Sequence, residues 1–354
     1  MMKSKTSVTA VAIALTLVAC GGGGGGGGSD APVTPPVAVN PPVSTPAPAP
    51  VPTVTPSDIQ TSVPAFSYAV ASEEYVFVTA LNKFRSDIGL GLLAQNTLLD
   101  TAAAKHLDYV LKNDILNGGT VNMRTNDAAT GRSMFHIEQG DKLLFTGIQE
   151  LDRAKFAGYA GSYVGEELAF AGGKGAQVAF DGLASTVYHR AGLMMQSVND
   201  IGVAVGKDRS QTVVMEIGTT KAQRQAGDFV GLCPAANQTA VGLHVGVETP
   251  NPFPELSTAN ADFPTKTGYP VSVLGKEGAT VEVVTFTLTE AGAAGPMDAR
   301  IVTKDNDPNR YLSSNVAFLI AKSPLKAGTV YTAKFSGRVN NVVVNKEWKF
   351  TTRS

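Results

Sequence analysis

Residues 21–28 are all glycine, and residues 31–64 are dominated by proline, valine, alanine and threonine. Neither stretch can bury a core. Glycine keeps the first part a flexible coil, and proline biases the second toward extended polyproline II at about 3.1 Å per residue. Together they form a tether able to hold a domain roughly 100 Å from its attachment point. Folding is therefore left to the chain beyond residue 64, whose length suits two domains. With 29 Lys and Arg against 30 Asp and Glu and no basic tract, the chain has no electrostatic footprint for nucleic acid.

Ahead of the glycines, Lys3 and Lys5 precede an apolar run over residues 8–18, too short to span a bilayer and suited to an export signal. The run ends in Leu17-Val18-Ala19-Cys20, which resembles a bacterial lipoprotein signal. The resemblance implies cleavage after residue 19, acylation of Cys20, and the membrane as a partner, each buried methylene contributing about 0.8 kcal/mol. Residues 1–19 are then the signal peptide and residues 20–64 the Gly/Pro-rich tether. Gly21, in place of Asp, implies export to the outer membrane or cell surface in a two-membrane cell. With Cys20 acylated, Cys233 has no partner for a disulfide and reads as a small buried hydrophobe.

Helical patterning begins at Ser72, a capping residue followed by Glu73 and Glu74, with Tyr75, Val78 and Leu81 recurring at helical spacing and Gly89 as terminator. Asn96 caps a second helix with Leu98, Leu99, Ala102, Ala103, Leu107 and Val110 on its apolar side. His106 shares that side, where a histidine is more often part of the core than a ligand. Residues 178–183 read as a short helix, and residues 201–205 and 212–217 as strands.

Leu81-Asn82-x-x-Arg85-x-x-x-Gly89-Leu90, Ala102-Ala103-x-x-His106, Phe145-Thr146-Gly147, Asp152-Arg153-Ala154, Gly165-Glu166-Glu167-Leu168, Ser185-x-x-x-His189-Arg190 and Asp200-Ile201-Gly202-Val203 follow one another in order. This succession resembles bacterial members of the CAP family, named for cysteine-rich secretory proteins, antigen 5 and plant pathogenesis-related proteins. The resemblance implies an α+β fold in which an α-β-α sandwich over residues 65–227 carries a cleft lined by two His and two Glu. By motif, His136 matches the first His, Glu166 the first Glu and His189 the second His. The helix expected to carry the second Glu reads Asp181-Gly182-Leu183-Ala184-Ser185-Thr186 and has none.

Three fragments therefore make up the expected cleft: His136 with Glu138, Glu166 with Glu167, and His189 with Arg190. Imidazole and carboxylate converging from separate elements suit a divalent metal such as zinc, held by His136, Glu166 and His189 with water in the fourth position. Glu138 or Glu167 would then orient an imidazole. The same groups equally suit structural hydrogen bonding. Ser185 stands four residues before His189 without a Gly-x-Ser-x-Gly elbow, which is weak support for a nucleophile.

Residues 228–354 form a connector and then an all-β domain. The stretch 228–254 is rich in Gly, Pro and Asn, and residues 281–288, 331–335 and 348–352 alternate as strands do. Pro324-Leu325-x-x-Gly328-x-x-Tyr331, ending in Trp348-x-Phe350, is similar to bacterial immunoglobulin-like modules, with Tyr331 and Trp348 as core anchors. The reading is a non-catalytic envelope lipoprotein binding an apolar ligand, a lipid or an envelope partner in the cleft. The alternatives are a metal-dependent hydrolase acting on envelope peptide or polymer, and a structural or adhesive surface protein.

Overall fold

The computed structural model describes residues 55–253 and 267–354. Cys20, the signal and most of the tether lie outside the described residues. The described part belongs to one compact unit beginning at Pro52. Residues 55–64, expected to be tether, are docked instead. Asp58 exchanges backbone hydrogen bonds with Arg224, and the Gln60 amide donates to the carbonyls of Leu92 and Asn199. Those buried carbonyls need donors, and the polar side chain next to the prolines supplies them.

The first half runs α1 (Glu73–Asp87), β1 (Ala94–Gln95), α2 (Thr97–Asn113), α3 (Glu150–Phe156), β2 (Tyr163–Phe170), α4 (Ala176–Ala184), α5 (Tyr188–Leu193), β3 (Asp200–Val205) and β4 (Thr212–Thr219). Ser72 and Asn96 cap α1 and α2 as their sequence positions predict, each side chain accepting a backbone N–H of the first turn. Strands β1, β3, β4 and β2 form one sheet in that order, with β2 antiparallel to β4 on one edge. Strand alternation divides the packing. Leu168, Ala204 and Val214 join the α2 side, while Ala169, Val203, Val213 and Met215 join α1 and α4. The sheet thus lies between two helical layers. A Cβ on Gly202 would come within 2.1 Å of the Leu99 backbone, so glycine is what lets α2 sit this close to β3.

The second half contains β5 (Val230–Cys233), β6 (Val271–Gly275), β7 (Val281–Glu290), β8 (Ala299–Thr303), β9 (Val316–Ala321), β10 (Val330–Val339) and β11 (Val342–Thr351). A four-stranded sheet β5-β6-β9-β8 and a three-stranded sheet β11-β10-β7 enclose a common core that includes Tyr331, Trp348 and Phe350. Cys233 is buried on β5, where burial pushes its thiol up. The two halves share apolar packing as well. Leu274, Val302, Val316, Phe318 and Ile320 belong to the same cluster as Phe77, Leu81 and Phe180, so β6 and β9 are covered on both faces. The chain is a mixed α+β structure with several sheets and few helices.

Candidate functional site

The site is built around β2 because it is an edge strand and because consecutive side chains on a strand point to opposite faces. Glu166 and Glu167, adjacent in sequence, are thereby separated. Glu166 turns toward α2 and α3 and pairs in register with Glu216 of β4. Glu167 turns toward α5, so close that a Cβ on Gly192 would lie 1.9 Å from its Oε1.

On the first face, His136 Nδ1 lies 2.7 Å from Glu166 Oε1, and Arg153 Nη2 donates to Glu166 Oε2 at 2.6 Å. His106 Nε2 stands 3.6 Å from Glu166 Oε1. The Glu166 and Arg153 side chains are fully buried, and only the His136 ring, 23% exposed, reaches solvent. Glu138 is also buried. It accepts from the backbone N–H groups of Thr146 and Gly147 and sits 2.9 Å from His106 Nδ1. His106 Nε2 donates to the Phe135 carbonyl at 2.8 Å. His106 is thus a core histidine, as its place on the apolar side of α2 suggests, with both ring nitrogens held inside the cluster. Arg132 forks onto both oxygens of Glu150.

Electrostatics divides the paired acids. Burial works against ionisation of Glu166, but Arg153, with His106 and His136, outweighs it and holds the carboxyl well below the usual range. Burial, reinforced by the Glu166 charge, pushes Glu216 well above that range. No donor among the described residues reaches Glu216, and its facing partner is Glu166, to which a protonated Glu216 donates. The pair thus settles as one carboxylate and one neutral acid.

On the second face, Glu248 accepts the backbone N–H groups of Val187 and Tyr188 and so caps the start of α5. Its Oε2 is 3.3 Å from His189 Nδ1. Burial opposes charge on His189, whose side chain is 24% exposed, yet Glu248 and then Glu167 prevail and raise its pKa. Glu167 is half-buried, and burial pushes it up to about 7 against the pull of His189 and His136.

The structure departs from the sequence expectations at His189, Arg190 and Ser185. His136 and Glu166 meet, but His189 does not join them, because Glu166 and Glu167 face opposite ways and His189 belongs with Glu167 and Glu248. Arg190 is not in a cleft. It is fully buried, donates to the carbonyls of Ala184 and Pro270, and stacks 4.4 Å over Tyr269, tying α5 to the second half of the chain. Ser185 ends α4, and its hydroxyl donates to the Gly182 carbonyl, so it does not share a helix with His189. Arg132, Arg153, Glu150, Glu216 and Glu248 were not expected. Glu216 carried a signal, being the one charge in the apolar run Val213-Val214-Met215-Glu216-Ile217. Glu248 carried none.

His136, Glu150 and Glu166 can each present a ligand atom within 4.8 Å of the others, a donor set chemically suited to zinc. As arranged, it does not fit a metal well. Arg153 holds Glu166 Oε2 and Arg132 forks onto both oxygens of Glu150, so an ion drawing on Glu150 would compete with a guanidinium. A cavity of about 840 Å³ lies elsewhere, between the later turns of α1, α4 and residues 235–245.

No family model and no curated protein matches the chain. Eleven chains among solved structures match, one of them an extracellular protein containing an SCP domain from Bacillus anthracis strain Ames. It aligns with a TM-score of 0.29 and 17% identity over 41% of this chain and 39% of its own. This chain thus spans about two fifths of that neighbour, and a likeness so slight decides nothing about the site. Among the described residues, no helix is long and apolar enough to cross a membrane.

Proposed function

We propose that the protein is an exported, lipid-anchored, CAP-like binding protein of the cell envelope. The rim of β2 holds an apolar ligand or an envelope partner, and the second half serves as an immunoglobulin-like spacer or docking module. One observation carries the reading: the interior carboxylates Glu138, Glu166 and Glu248 are already bound by donors of this chain, whereas His136 and His189 reach solvent on either side of the edge strand. Those carboxylates have spent their lone pairs inward, which leaves His136, His189 and Glu167 as the polar groups available to a ligand at the rim.

Aromatic surface supports the apolar preference. Phe170 and Tyr163 are exposed at the two ends of β2, and Phe135 packs edge-on against Phe170 with centroids 5.2 Å apart. The metal-dependent hydrolase is the second reading, favoured by the proximity of His136, Glu150 and Glu166 and opposed by the two arginines that hold those acids. Native mass spectrometry of protein isolated from its own envelope fraction tests the binding reading. A bound mass is expected in the wild type and absent from the His136→Ala, His189→Ala double variant. Equal, unliganded masses for both proteins would refute it.

A further inference from the structure

Beyond the β2 rim, the C-terminal end of α2 carries a second feature. Ile115 and Leu116, just past the helix, and Leu143, Leu144 and Phe145, in the loop leading to α3, are all between 38% and 69% exposed. The Asn113 amide donates to the Leu143 carbonyl at 2.9 Å, which places the two segments side by side. Single exposed hydrophobes are ordinary, but five large ones on two neighbouring segments mark an interaction surface.

The loop is held in shape. Gln139 N–H donates to the Tyr109 hydroxyl at 2.8 Å, Lys142 N–H to the Gln139 carbonyl at 3.1 Å, and Thr146 N–H to Glu138 at 2.6 Å. Between these ties Leu144 adopts φ of 64°, a left-handed conformation uncommon for any residue but glycine. An anchored loop that accepts this backbone and turns its leucines outward is built to present them.

We propose that this projection inserts into the interfacial layer of a lipid bilayer. Three observations select the bilayer over a protein partner. The group is aliphatic with one Phe and lacks the Trp, Tyr and Arg anchors that dominate protein hot spots. Its local charge is balanced, Lys142 lying 3.2 Å from Asp141, so nothing in it selects a charged protein face. The chain preceding residue 55 carries Cys20 and a tether that would keep the domain within reach of lipid, a point that rests on the lipid-anchor reading. The loop would lay the domain down on the surface to which the tether already confines it.

The experiment uses the mature chain carrying Cys20→Ser, which cannot be acylated, so the loop is tested apart from the anchor. Sedimentation with phosphatidylethanolamine/phosphatidylglycerol vesicles should recover this protein. Binding should be unchanged by 0.5 M salt, as apolar insertion requires, and should fall at least about tenfold in the Leu143→Ser, Leu144→Ser, Phe145→Ser variant. A Leu144→Trp variant should shift its emission to the blue when vesicles are added. Failure of the Cys20→Ser chain to bind, equal binding by the triple variant, loss of binding in salt, or a vesicle-independent dimer that the triple variant abolishes would overturn the proposal.

Discussion

Replacing Arg153 with methionine probes the buried cluster most severely. The guanidinium is fully buried and donates to Glu166 at 2.6 Å while standing 3.8 Å from Glu216 and 3.9 Å from Glu138. Methionine keeps much of the volume, so the principal loss is the charge. Removing one partner of a buried ion pair costs about 3–5 kcal/mol, because the other is left uncompensated. That is a large share of a typical folding stability of about 5–15 kcal/mol. The loss should also depend on pH. In the wild type the depressed pKa of Glu166 contributes stability that is present above the unfolded value near 4.5 and is lost only as pH falls through its much lower folded value. Without Arg153, burial raises that pKa, and Glu166 escapes its penalty by taking up a proton. Urea unfolding of Arg153→Met should therefore show the full deficit at pH 7 and a smaller one toward pH 4. A deficit below about 1 kcal/mol at pH 7, or one that stays constant with pH, would refute the reasoning.

Glu216 gives the opposite sign. Its raised pKa contributes stability present below the unfolded carboxyl value and lost as pH rises through the folded value, so Glu216→Gln should leave thermal stability unchanged at pH 4 and raise it at pH 8. Glu167, pushed to about 7, and His189, also raised, both withdraw stability as pH rises across neutrality. The wild-type melting temperature should accordingly decline between pH 5 and pH 8, and Glu167→Gln should flatten that decline in differential scanning calorimetry.

Much of the scaffold was legible because its causes are local. Ser72 and Asn96 announce helix starts through their capping oxygens, and the apolar runs of β3 and β4 stand between polar or Gly punctuation. The site was legible only in part, because it depends on which way a side chain leaves a strand. Once Tyr163–Phe170 is seen as one strand, alternation alone sends Glu166 and Glu167 apart, and His189 must follow one or the other. Arg153 was missed as a site residue and Arg190 was wrongly assigned to the cleft for a different reason: both sit in short helices whose periodicity does not reveal which face is covered. Glu248 comes from an aperiodic connector, and its role exists only because the chain returns to the start of α5. The stretch Val316–Ala321, unbroken in apolar residues, was not read as a strand from the sequence, yet it is covered on both faces and carries the core shared by the two halves.

Calorimetric titration of zinc into the mature Cys20→Ser chain and its His136→Ala variant tests most directly whether Glu166 and Glu150 are committed to Arg153 and Arg132. The account predicts no zinc site tighter than on the order of 10 μM in either protein. Stoichiometric, tighter binding by the parent chain that disappears with His136→Ala would contradict it.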